Sequence, residues 1–109
     1  MLDVHFKDSV DPKGASLATI RGIAICAGVF DGYGKRLTVT SMNDGRHMRG
    51  SKHYTGDGWD VRSRGEGPRY AQWPDVLKLQ IADTCRNHLG SDYDVVVEGD
   101  HFHFEYDPK

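Results

Sequence analysis

The sequence predicts an α+β domain: two helices packed on a small, mainly antiparallel sheet. Three observations carry this expectation. Apolar residues recur at helical spacing over residues 17–30 and again over residues 76–89. A β-branched, alternating run over residues 36–41 reads as a strand. Two further strand-like runs, 93–97 and 101–106, are separated only by Glu98-Gly99-Asp100, which reads as a hairpin. At 109 residues the chain can bury one core and not two, so residues 1–109 form a single domain.

Asp11-Pro12-Lys13-Gly14 reads as a turn, and Ser16 is placed to cap the helix that follows. Leu17, Ile20, Ile23, Ala24, Ala27 and Val29 or Phe30 supply the apolar face of this helix, and Asp31-Gly32-Tyr33-Gly34 ends it. Residues 42–70 are rich in Gly, Asp, Arg and Ser, a long connection for so small a domain and therefore a candidate for function. Within it, Gly58-Trp59-Asp60-Val61-Arg62 can form a short strand. Pro74 sits where a second helix opens, with Val76, Leu77, Leu79, Ile81, Ala82 and Leu89 as its apolar face and Gly90 as its end.

A formal charge of −2 lacks the basic excess of a nucleic-acid binder. No apolar run approaches the roughly 18 residues that a membrane span needs. Residues 1–8 carry no apolar core of a secretory signal, which suggests synthesis in the cytoplasm. Cys26 and Cys85 lie in apolar helical stretches without a CxxC neighbour, which favours free buried thiols over a disulfide or a cysteine metal site. Arg46, Arg49, Lys52, Arg62, Arg64 and Arg69 gather in the middle of the chain. They read either as a solvated loop region or as a locally positive cleft for a carboxylate-bearing substrate.

Two segments carry chemistry: residues 51–60, with His53 and Asp60, and residues 98–103, with Glu98, Asp100, His101 and His103. A catalytic zinc needs three N/O ligands, one open position and a nearby base, and these segments together offer that set. His101 and His103 are two apart on a strand and so share a face, which a plain half-exposed strand would equally produce. Gly50, Gly56 and Gly58 bracket a loop that can fold back sharply and bring His53 towards Asp60. His5 and His88 stand alone and carry no such reading.

Ser51-x-His53-x-x-Gly56-x-Gly58-x-Asp60 resembles the SxHxxGxAxD signature of the D-alanyl-D-alanine metallopeptidases, with Gly58 in the place of Ala. That family includes zinc D-Ala-D-Ala carboxypeptidases and phage endolysins, and its fold is shared with the Hedgehog signalling domain. The strand over residues 37–41 followed by Arg46, and the acid-plus-histidine segment 98–103, resemble further parts of the family pattern, so the likeness spans roughly residues 17–105. It implies a Hedgehog-like α+β fold, Zn2+ as cofactor, and hydrolysis of peptidoglycan stem peptides, in the manner of a carboxypeptidase or a phage or bacterial cell-wall endopeptidase. By position it implies His53, Asp60 and His103 as zinc ligands, with His101 an auxiliary near the reacting carbonyl. The spacing Glu98-x-x-His101 would instead select His101, while Asp100-x-x-His103 fits equally well. The base is Glu98 or Asp100, with Glu98 preferred, and Arg46 would steady the developing oxyanion or hold a substrate carboxylate. The competing expectation is a zinc-bearing interaction or virion structural module that does not catalyse.

Overall fold

The computed structural model describes residues 3–42, 57–65 and 71–108. In chain order the elements are β1 (Val4–Phe6), α1 (Leu17–Gly32), β2 (Leu37–Met42), β3 (Gly58–Arg62), α2 (Asp75–Leu89), β4 (Tyr93–Val97) and β5 (His101–Tyr106). The strands form one five-stranded sheet in the order β1-β2-β3-β5-β4. Only the β1–β2 pair is parallel, joined through α1 as such a pair must be; the other pairings are antiparallel. The architecture is α+β, two helices on a mostly antiparallel sheet.

Local chemistry explains the element ends. The Ser16 hydroxyl accepts the Thr19 amide at 3.1 Å and satisfies one of the free donors at the start of α1. Gly34 (φ 72°) turns the chain beyond α1 into β2, and Gly90 (φ 89°) ends α2, both in a region that side-chain-bearing residues avoid. β1 is absent from the sequence reading: three residues with charged neighbours show no periodicity, and Val4–Phe6 becomes a strand only by pairing with Leu37–Val39.

Period-two alternation divides the sheet into two faces. Leu37, Val39, Trp59, Val61, Phe102, Phe104, Tyr93 and Val95 point to the helices, and join Ile23, Cys26, Ala27, Phe30, Ile81, Ala82, Cys85 and Leu89 in the core. Cys26 and Cys85 are free and buried, and their mutual hydrogen bonding, with burial, pushes the Cys26 thiol well above its usual range.

The helices are rotated from their expected faces. Leu17 and Ile20 are exposed, while Thr19 and Gly22 are buried. The cause is Trp59, whose indole stacks on Phe104 and reaches under α1. A Cβ on Gly22 would lie 2.5 Å from Trp59 Cη2 and 3.0 Å from Tyr93 Cε2, so only glycine lets helix and strand approach this closely. Overpacking here costs about 1–3 kcal/mol, against about 1 kcal/mol that alanine returns in helix propensity. Gly22→Ala is therefore expected to lower the thermal midpoint by several degrees in a circular-dichroism melt. An unchanged or raised midpoint would show that Trp59 has room to move.

In α2 the buried line is Lys78, Ile81, Ala82, Cys85 and Leu89, and Val76 and Leu79 are exposed. A lysine occupies the core-facing position at the start of this helix.

Candidate functional site

The sheet face away from the helices carries the histidines. On β5, His101, His103 and Glu105 alternate with the buried Phe102 and Phe104, so all three side chains leave from that face. Asp60 lies directly opposite His103 in the β3–β5 register, and Arg62 lies opposite His101. A β-bulge between Val39 and Ser41 inserts Thr40 into β2 beside this row, and Thr40 faces the same hollow as Asp60.

Of the two histidines on β5, His103 is the one in hydrogen-bond contact with Asp60. His103 Nδ1 lies 2.7 Å from Asp60 Oδ1, and its Nε2 lies 2.7 Å from Glu105 Oε1. With both ring nitrogens against carboxylates, the imidazolium is favoured. The hydrogen bond to Asp60, opposed by partial burial and aided by Glu105, raises the His103 pKa from 6.5 to about 9. His101 stands beside the pair, its Nε2 3.8 Å from Asp60 Oδ1 and its Nδ1 2.7 Å from Asp100 Oδ1. That hydrogen bond and the charge of His101 hold the exposed Asp100 carboxyl below its usual range.

Lys7, Thr40, Asp60, Arg62, Arg64, Asp100 and His101 line a hollow of about 240 Å3 on this face. Three cations therefore stand around the acid–histidine cluster, among them Arg62 and Arg64 of the basic group seen in the sequence. Lys7 was not foreseen, because β1 was not.

Glu98 does not join this cluster. It lines a separate hollow with Asp75, Lys78, Leu79, Val97 and Gly99, at the start of α2. Strand alternation ends at Val97, and Lys78 Nζ meets the Gly99 carbonyl at 3.2 Å, so the turn presents Asp100 rather than Glu98 to the Asp60 hollow. The sequence preference for Glu98 over Asp100 is thus not supported by where the two side chains lie. Arg46 and His53, with the rest of residues 43–56, lie outside the described residues.

Donor chemistry at Asp60 and His103 fits zinc. Two ligands of a tetrahedral zinc at about 2.0–2.1 Å stand about 3.3 Å apart, so the 2.7 Å hydrogen bond between Asp60 and His103 would open by a few tenths of an ångström. Glu105 already occupies the far nitrogen of His103, the carboxylate support that zinc-binding histidines usually have. Among the described residues no third ligand group closes on Asp60 and His103; His101 Nε2 stands 3.8 Å from Asp60 Oδ1, with Asp100 on its other nitrogen. Glu105 was not singled out in the sequence, although its place two residues after His103 puts it on the same face.

A second group could also hold a cation. Asp94, Glu105 and Asp107 bring three carboxylate oxygens within 4.8 Å of one another. An all-oxygen set suits a hard cation such as calcium or magnesium better than zinc. Among the described residues no helix is long and apolar enough to cross a membrane. The chain matches no family model, no curated protein and no solved structure.

Proposed function

We propose that the chain is a zinc-dependent peptidase that hydrolyses peptide bonds in peptidoglycan stem peptides. The observation that carries this reading is the register that sets Asp60 against His103, with Glu105 behind the histidine and Asp100 on the adjoining hollow. The α+β architecture is compatible with the Hedgehog-like fold that the signature implies, and the signature itself supplies His53 as the remaining ligand. Zinc would be held by His53, Asp60 and His103, and when bound it acidifies a water molecule and polarises the scissile carbonyl.

The protein's own groups do the rest. Asp100, kept ionised by His101, takes the proton of the attacking water and passes it to the leaving amine. Glu105 fixes the orientation of the His103 ring. Lys7, Arg62 and Arg64 give the hollow a positive wall suited to the carboxylates of stem peptides. Arg46 keeps its proposed role at the oxyanion or at a substrate carboxylate. Such a chemistry places the site of action at the bacterial wall, for a phage-encoded or a bacterial enzyme alike.

The test is digestion of purified peptidoglycan by the zinc-loaded protein, with new termini identified by mass spectrometry beside a His53→Ala control. Cleavage is expected in the first and not in the second, and the termini identify the bond as D-Ala-D-Ala, D-Ala-diaminopimelate or L-Ala-D-Glu. Cleavage that persists in the control removes the proposed site. One bound zinc without cleavage points instead to a non-catalytic interaction module.

A further inference from the structure

The geometry points to Lys78 as a positioning residue for Asp100: its buried ammonium holds the Gly99 carbonyl and links the β4–β5 turn to the end of β3 through Gln72 and Ser63. This role rests on the peptidase reading, because it matters to catalysis only if Asp100 is the base.

Lys78 lies in the first turn of α2 with only 3% of its surface exposed, on the stripe that continues through Ile81, Ala82 and Cys85. For stability alone the position is a poor one for a cation. The start of a helix is its positive end, and taking an ammonium out of water is costly unless acceptors replace the water. The acceptors here are specific. Nζ lies 3.2 Å from the Gly99 carbonyl and 3.4 Å from Gln72 Oε1, with the exposed Asp75 carboxylate further off at 3.9 Å. Gln72 Oε1 also accepts the hydroxyl of the buried Ser63, immediately after β3, and the Ser63 carbonyl accepts the Trp73 amide at 2.9 Å. A continuous polar chain therefore runs from the strand that carries Asp60 to the turn that carries Asp100.

Among the described residues the Asp100 carboxylate is held by His101 Nδ1 at 2.7 Å, a neighbour on the same hairpin, and the turn's backbone has few other holds. Glu98, Gly99 and Asp100 are all exposed, and a Cβ added at Gly99 would meet nothing within 4 Å. The Glu98 amide donates to the His101 carbonyl at 2.9 Å and closes the hairpin, but this bond does not fix the turn against the body of the domain. Lys78 does, from the α2 side. It draws the Gly99 carbonyl inward, and the next residue then presents its carboxylate to the opposite hollow.

Lys78→Met is the direct test, since methionine keeps the length of the side chain and removes its donors. A displacement of about 1 Å at a catalytic group can cost about 100-fold. The expected result is a kcat about 10–100-fold lower, with KM and zinc affinity close to wild type and a thermal midpoint unchanged or raised. Exchange of the Glu98 amide, followed by NMR, is expected to accelerate about tenfold relative to that of Phe104 in the middle of β5. A kcat near that of wild type overturns the role, and so does a loss of kcat that tracks a lowered midpoint. Should Lys78→Met not fold, Gln72→Leu cuts the same chain at its middle: a severalfold fall in kcat at unchanged KM supports the role, and no fall overturns it. The exchange measurement also separates the two claims. Faster exchange in a protein that cleaves no peptide upholds the tether and removes only the peptidase reading, whereas unchanged exchange removes the tether itself.

Discussion

Asp100→Asn is expected to lower peptide turnover by about 10²–10⁴-fold, the range lost with a general base, while one zinc per chain is retained. Asparagine preserves the shape of the side chain, and its carbonyl oxygen can still accept from His101 Nδ1, so the variant removes the proton acceptor and little else. Glu98→Gln is expected to stay near wild type, because Glu98 faces the hollow beside α2 and not the one containing Asp60. Steady-state kinetics on the identified stem peptide, with metal content measured in parallel, decides the matter. A large loss in Glu98→Gln with turnover preserved in Asp100→Asn would reverse the assignment. Equal losses in both would mean that the turn acts as a structural unit and that neither carboxylate is the base.

Spacing along the sequence was enough to place Asp100 and Glu98 near the histidines but not to choose between them. Both acids sit at the ExxH or DxxH distance from a histidine, and that distance says nothing about which way a three-residue turn faces. The choice depends on Lys78, which lies on another element and meets the turn only in the folded chain. Its burial could have been suspected, since 78, 81, 82, 85 and 89 follow helical spacing, but a lysine among Val76, Leu77 and Leu79 reads more naturally as the polar side of the helix.

The same distinction between local and non-local causes runs through the fold. α1, α2 and the β4–β5 hairpin were legible because capping, helical periodicity and turn residues are written in adjacent positions, and Ser16, Gly90 and Gly99 stand where those signals predicted. The exposed Leu17 and Ile20 were not legible. Their place on the helix is settled by the Trp59 indole under Gly22, a contact between residues far apart in sequence. β1 escaped for the same reason, and with it Lys7, so one side of the candidate hollow could not be drawn from sequence. Asp60 and His103 were the reverse case: the signature named Asp60, the acid-plus-histidine segment named His103 with His101 as the alternative, and the register of β3 with β5 brings Asp60 and His103 into contact.

Zinc and a proton compete for His103, and the competition predicts different pH trends for the metal-free and zinc-loaded protein. In the metal-free fold the His103 pKa is raised from 6.5 to about 9 by Asp60 and Glu105. A pKa raised on folding stabilises fully below the unfolded value, and the gain disappears as pH rises through the folded one. The thermal midpoint in chelator should therefore fall between about pH 6.5 and pH 9. Zinc requires the Nδ1 that faces Asp60 to be free of its proton, so its apparent affinity should rise about tenfold per pH unit over the same interval and level off above about pH 9. Zinc bound only by the folded state adds stability as the logarithm of its concentration over its Kd, and this gain offsets the loss caused by the proton. For this group the midpoint in excess zinc should therefore stay level while the midpoint in chelator declines, and the gap between the two should widen. His103→Ala should remove the decline attributable to this group, and it should abolish turnover and most of the pH-dependent widening of the gap between zinc and chelator. Thermal-shift measurements at four or five pH values, with and without zinc, test all of this together. A metal-free midpoint that does not fall would place the proton elsewhere than on His103. A zinc-dependent rise that survives in His103→Ala would take the metal away from the Asp60–His103 pair, and the carboxylates Asp94, Glu105 and Asp107 would then be the next place to look for it.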